Sequence, residues 1–155
     1  MSKLQNGLRH WCQETKGAVM VEFAVVCLVF LLIVAGIMDL GHAFFMKQVI
    51  TNASREGARY GVVYQTDSAG NRRAPSNFSP SISSHILNDW NLPDYLPADA
   101  NPQVTPGGAG YTTGNAGAPL EVTVTAVKNW FVLNNFIPSL NESVTLSATT
   151  VMQCE

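Results

Sequence analysis

The sequence predicts an α+β chain of lollipop shape: a long N-terminal helix, half transmembrane and half exported and amphipathic, packed on a small antiparallel β-sheet. Three observations predict it. From Ala18 to Met38 Glu22 is the only charge, and about 21 residues at about 1.5 Å each make a helix of roughly 31 Å, one bilayer crossing. From Asp39 to Tyr64 apolar and small residues recur every three or four positions. In the last third, apolar and polar residues alternate with the period of a strand. The expected organisation is a basic leader over 1–17, a long helix over 18–64 with its span at 18–38, and an α+β domain over 65–155.

Composition agrees with a chain whose apolar surface is not all core. Of 155 residues, 46% are hydrophobic and 13% charged, a high ratio for a soluble protein of this size. Ahead of the span, Lys3, Arg9 and Lys16 face one acid, Glu14, while Asp39 follows it. That asymmetry predicts a cytoplasmic N-terminus and an exported remainder.

Glu22 needs an explanation, since a lone charge in mid-membrane costs at least about 2.5–3.5 kcal/mol on insertion scales. Three readings of the span compete. A signal anchor needs only length and flanking charge and leaves Glu22 unexplained. A secretory signal would be cut after Ala43, at Gly41-His42-Ala43, but its apolar region is longer than the usual 7–15 residues or so. The third reading takes Gly17-Ala18-Val19-Met20-Val21-Glu22-Phe23, behind the basic leader, as a processing site. It resembles that of type IV pilin-like proteins, in which a prepilin peptidase cuts after the glycine and leaves the glutamate fifth in the mature chain.

Cleavage between Gly17 and Ala18 would create an α-amino group with an ordinary pKa near 8 at the head of an apolar helix. In a bundle of such helices, displaced along their axes, the carboxylate of one Glu22 meets the amine of a neighbour. An unmatched charge there is strongly penalised, so the pair selects register and partner. Glu22, with Phe23 beside it, is the expected assembly charge.

The segment beyond the cut carries a longer pattern. Glu22-Phe23, Gly36, Asp39, Gly41, Phe44 and the run Thr51 to Tyr60, with Arg55, Glu56 and Arg59 inside it, follow in order. Over residues 17–64 the chain resembles the TadE-like family of minor pilins or pseudopilins of the tight-adherence (Flp) pilus system. The resemblance implies a bacterial single-pass inner-membrane protein with its C-terminal domain periplasmic or extracellular, acting in pilus assembly, initiation or tip formation. The partners it implies are the prepilin peptidase, other minor pilins, the major pilin and the inner-membrane assembly platform; the span itself implies membrane lipid. Many relatives carry a proline early in the span, where this chain has Val26-Cys27-Leu28-Val29.

The exported half of the helix has Phe45, Val49, Ala53, Gly57 and Tyr60 on one stripe. Ala53, Gly57 and Gly61 form a small-residue row suited to close helix packing, either against another subunit or beneath the chain's own domain. Glu56 between Arg55 and Arg59 reads as a solvated charge cluster.

After Tyr64 come a loop with a turn at Asp67–Asn71, then a short amphipathic helix expected to be capped by Ser79 with Pro80 at its first position. Its stripe is Ile82, Ile86, Leu87 and Trp90. Leu92 to Pro119 holds five prolines and five glycines, too many for regular structure apart from a brief strand near Gln103–Thr105. Two antiparallel strands follow, Leu120–Val127 and a run with Val144, Leu146, Ala148, Thr150 and Met152 on one face. Between them Trp130, Phe131, Phe136 and Ile137 are expected as a turn of helix or a hydrophobic flap over the sheet.

Catalysis finds no support in the residues. His42 and His85 have no neighbouring cluster of ligands in sequence, and neither a nucleophile elbow, a phosphate loop nor a C-x-x-C is present. No metal or other cofactor is expected. A net charge of −2, falling to −4 without residues 1–17, and the lack of a basic patch exclude nucleic acid as a partner. Cys12 would leave with the leader and Cys27 lies in the span, so Cys154, if exposed in an oxidising compartment, is the thiol expected to pair with another chain.

Overall fold

The computed structural model describes the backbone of residues 2–133 and 143–155 and, within it, the side chains from residue 17 onward. One helix, α1, runs unbroken from Ser2 to Val62. Its two halves meet different surroundings. Between Val19 and Met38 the large apolar side chains stand mostly bare, Phe23 at 71% and Phe30 at 62% exposure. Beyond Asp39 one face closes, with Met46, Val49, Ile50, Ala53, Ala58 and Val62 buried. Phe45, expected on that face, lies outside it and is 54% exposed; Met46, one residue on, turns inward instead.

The buried face rests on a three-stranded antiparallel sheet in the order β1 (Gln103–Gly107), β2 (Pro119–Asn129), β3 (Ser143–Gln153). The α+β lollipop read from the sequence is the fold observed. The brief strand expected near Gln103–Thr105 in the proline- and glycine-rich segment is β1, extended to Gly107 at an edge of the sheet beside the two expected strands. Pro106, opposite Val122, is tolerated there because an edge position does not need every backbone donor. Central β2 sends Leu120, Val122, Val124 and Ala126 inward, all fully buried, and pairs them with Met152, Thr150, Ala148 and Leu146 of β3. Burial of each such large apolar side chain contributes about 1.5–3 kcal/mol.

Small residues set the distance between helix and sheet. A Cβ on Gly57 would fall 2.3 Å from Ile86 Cδ1 and 3.2 Å from Val122 Cγ1, and one on Gly61 2.4 Å from Leu120 Cδ2. Polar contacts stitch the seam: Ser54 Oγ meets Thr150 Oγ1 at 2.8 Å, and Lys47 donates to the Ser147 carbonyl.

The connections close the domain. Asp67 Oδ1 accepts from the N–H groups of Ala69 and Asn71 at 2.9 and 2.8 Å, forming the expected turn, with Gly70 at φ +80°. The next helix, α2 (Ile82–Ser84), continues as a π-turn over His85–Asp89. Its cap is Ser81, whose side chain accepts from the Ser84 N–H at 3.2 Å, not the expected Ser79. Pro80 falls ahead of the cap, since starting at Ile82 turns Ile82 and Ile86 onto the core. A short helix, α3 (Ala109–Thr113), lies against β2. Cys154 is 4% exposed, its Sγ 3.8 Å from the Gly110 carbonyl. An exposed thiol ready for an intermolecular disulfide is therefore not what the fold presents.

Candidate functional site

Gly17, Ala18, Glu22 and Phe23 all lie on the bare stretch of α1, and the helix passes through the expected cut without interruption. Glu22 is exposed among apolar side chains that are themselves exposed. Among the described residues this is the one helix long and apolar enough to cross a membrane, which supports membrane anchoring.

Immediately beyond the bare stretch the chain changes character. Asp39 is fully buried, with its Oδ1 accepting from the Phe131 N–H at 2.9 Å and its Oδ2 from those of Val132 and Leu133, both at 3.0 Å. Lys128, 1% exposed, places its ammonium 3.5 Å from Oδ1. Four donors and no acceptor face this carboxylate, so the acceptor-only ionised form fits. The ammonium also donates to the Asn129 carbonyl and lies 4.3 Å from the Phe131 ring centroid, a cation–π distance. At the edge of this junction the Asn129 side-chain amide donates to Asp99, whose carboxyl is held below the usual range chiefly by that bond.

Lys128 is the member of this group that sequence reasoning passed over. The alternation of β2 was read as ending at Val127, but continued by one step it places residue 128 on the inward face after Ala126. A lysine there demands a buried acid, and Asp39 is the acid that the helix brings to it. Asp39 was read only as flanking charge and as part of an acid–glycine pair; Gly41, the glycine of that pair, has open space around it.

The charged cluster higher on α1 is less solvated than its sequence suggests. Glu56 accepts from Arg59 through both oxygens at 3.2 Å, and His85 Nε2 stands 3.9 Å away. His85 Nδ1 is 3.1 Å from Asp89, and its ring stacks on Tyr60 with centroids 4.1 Å apart. Arg55 remains exposed. Ala53, Gly57 and Gly61 are covered by Ile82, Ile86, Leu120 and Val122 of the same chain, so this row faces inward and leaves the bare stretch as the large free apolar surface of α1. Among the described residues no group of three His, Cys, Asp or Glu side chains is placed to hold a metal ion.

At the start of the β2–β3 connection Phe131 is 65% exposed, its ring 5.2 Å from that of His42 rather than over the sheet. Val132 and Leu133, where helix begins, turn toward the apolar half of α1 beside the Asp39 carboxylate that accepts from all three N–H groups. Phe136 and Ile137 lie outside the described residues. Residues 17–59 match the model of the family described as TadE-like protein, which ties this segment to a pilus-associated family and begins at the glycine of the expected cut. No curated protein and no solved structure gives a significant match to the chain.

Proposed function

We propose that this chain is a TadE-like minor pilin, or pseudopilin, of a tight-adherence pilus, acting in assembly, initiation or tip formation rather than in catalysis. It enters the inner membrane with its N-terminus cytoplasmic and residues 65–155 as the exported domain. A prepilin peptidase then cuts after Gly17, leaving Ala18 as the new terminus and Glu22 as its fifth residue. The observation that carries this reading is the coincidence of the family match, which opens at Gly17, with a helix whose large apolar side chains between Val19 and Met38 stand mostly exposed. Such a helix is held by lipid before assembly and by the corresponding helices of other pilins after it. Glu22 supplies register, since its carboxylate is matched only where a neighbour's terminal amine arrives at the same level.

The N-terminus of the protein recovered from cells tests the proposal. Ala18 is expected; Met1 or Ser2 would instead identify an uncleaved signal-anchored envelope protein, and Phe44 a secreted one. A Glu22→Ala variant should still be cut after Gly17 and fail to support piliation. Normal piliation by that variant would remove the assembly role of the charge.

A further inference from the structure

We propose that residues 130–133, at the start of the β2–β3 connection, form a second membrane-contacting element that descends beside α1 into the leaflet on the domain's side. This inference rests on the reading of 18–38 as a membrane span. Depth is set by hydrogen bonds: Asp39, the first residue after the span, accepts from the N–H groups of Phe131, Val132 and Leu133. Direction is set by packing. Leu133 Cδ2 lies 3.7 Å from the position of a Cβ on Gly36, and Val132 lines an apolar groove with Leu28, Leu31, Leu32 and Ala35. Gly36 stands three residues below Asp39, so at about 1.5 Å per residue the Leu133 contact reaches roughly 5 Å into the span, with the groove continuing below it. Leu32, Ala35 and Gly36 are half-buried on a helix that is otherwise bare at this level.

The occupant that fits the free side of this element is bilayer lipid. Among the described residues the groove is lined by aliphatic side chains, and Phe131 is mostly exposed, as are Phe44 and Phe45 at 74% and 54% around the neck of the helix. Bare apolar rings at this level gain by leaving water for hydrocarbon. Backbone at membrane depth is tolerated only where its polar groups are satisfied within the protein, and here the three N–H groups leading into the helical Leu133 are satisfied by one carboxylate. The charge of that carboxylate is in turn balanced by Lys128. The buried pair thus does more than join helix to sheet: it satisfies the donors of a segment that enters hydrocarbon.

Nitroxide labels read the outcome directly. Single cysteines are introduced as Phe131→Cys, Val25→Cys and Ser76→Cys in the full chain with C12S, C27S and C154S. Each is labelled in detergent and reconstituted into phosphatidylcholine–phosphatidylglycerol vesicles, and its accessibility to oxygen is compared with that to a nickel chelate. Labels at 131 and 25 should favour oxygen several-fold over the label at 76. Position 131 behaving like position 76 while position 25 favours oxygen would overturn the membrane-dipping element and leave the span intact. Position 25 behaving like position 76 would overturn the span itself, and the element with it. Val132→Cys gives a second position in the element should the label at 131 disturb the Asp39 contacts, and its reading like position 76 counts against the element equally.

Discussion

The two halves of α1 differ in pattern and in who covers them: from Ala18 to Met38 the helix is apolar on every face but for Glu22, above Asp39 only along one stripe. Above Asp39 the inward stripe from Met46 to Val62 is buried by the chain's own sheet; below it Val19, Phe23, Phe30 and most of their neighbours stand exposed. Small residues mark the difference. Gly57 and Gly61 sit where a side chain would collide with Ile86 and Leu120, whereas a Cβ on Gly17 would have nothing within 4 Å and one on Gly36 only an ordinary contact with Leu133 at 3.7 Å. Close-approach glycines thus mark the stripe that the sheet buries.

The sharpest way to break this contrast is at its boundary. Asp39→Ala should cost about 3–5 kcal/mol, since it strands the Lys128 ammonium and three backbone donors in a buried site; urea unfolding of the full chain in detergent, followed by near-UV circular dichroism, measures it. Lys128→Met, which leaves Asp39 its three N–H donors, should cost clearly less, and the reverse order would undo this account of the junction. Next comes Gly61→Ala, whose added methyl must displace Leu120 and Ile82 and should cost about 1–2 kcal/mol after the better helix propensity of alanine is counted. Gly41→Ala, with open space around it, should stabilise the helix by about 0.5–1 kcal/mol in the same measurement. Phe30→Ala, on the bare half, should move the domain's unfolding by less than about 0.5 kcal/mol.

The smallest effect is one of pH, and it lies away from the helix. The Asp67 carboxyl is held below its ordinary value, first by the Asn71 backbone N–H and, despite a contrary effect of desolvation, by that of Ala69. A depressed folded value means that its contribution is complete above the ordinary carboxyl range near pH 4 and is lost as pH falls through the lowered one. Amide exchange at Ala69 and Asn71 should quicken on acidification across that window while exchange at Val122 and Val124 holds.

Much of this architecture was written in periodicities. The membrane-length run, the helical stripe and the alternation of β2 each place their element because one repeating choice, apolar or polar, is made many times over. What escaped depended on single residues meeting across long separations. Asp39 and Lys128 are 89 positions apart, and neither predicts the other until the sheet is laid on the helix. Glu56 and His85 meet in the same way, and Ser81 rather than Ser79 caps α2 because the core, not the local sequence, chooses the register. β1 was faint because proline and glycine weaken a strand signal even where an edge position accepts them. The site residues proposed for processing and assembly, Gly17, Ala18, Glu22 and Phe23, were legible as a motif, while the junction at Asp39 was legible only as an acid without a partner.

The uninterrupted course of α1 from Gly17 to Val62 makes it a spindle as well as an anchor. The domain is clamped to it at Asp39 and again at Gly57 and Gly61, so the azimuth of Glu22 about the helix axis is locked to the azimuth of the sheet. One residue inserted between them would swing the domain by about 100° relative to the charge, whereas seven would return it to within about 20°. In a filament built on that charge, the length of α1 between Glu22 and Asp39 decides which side of each exported domain faces outward.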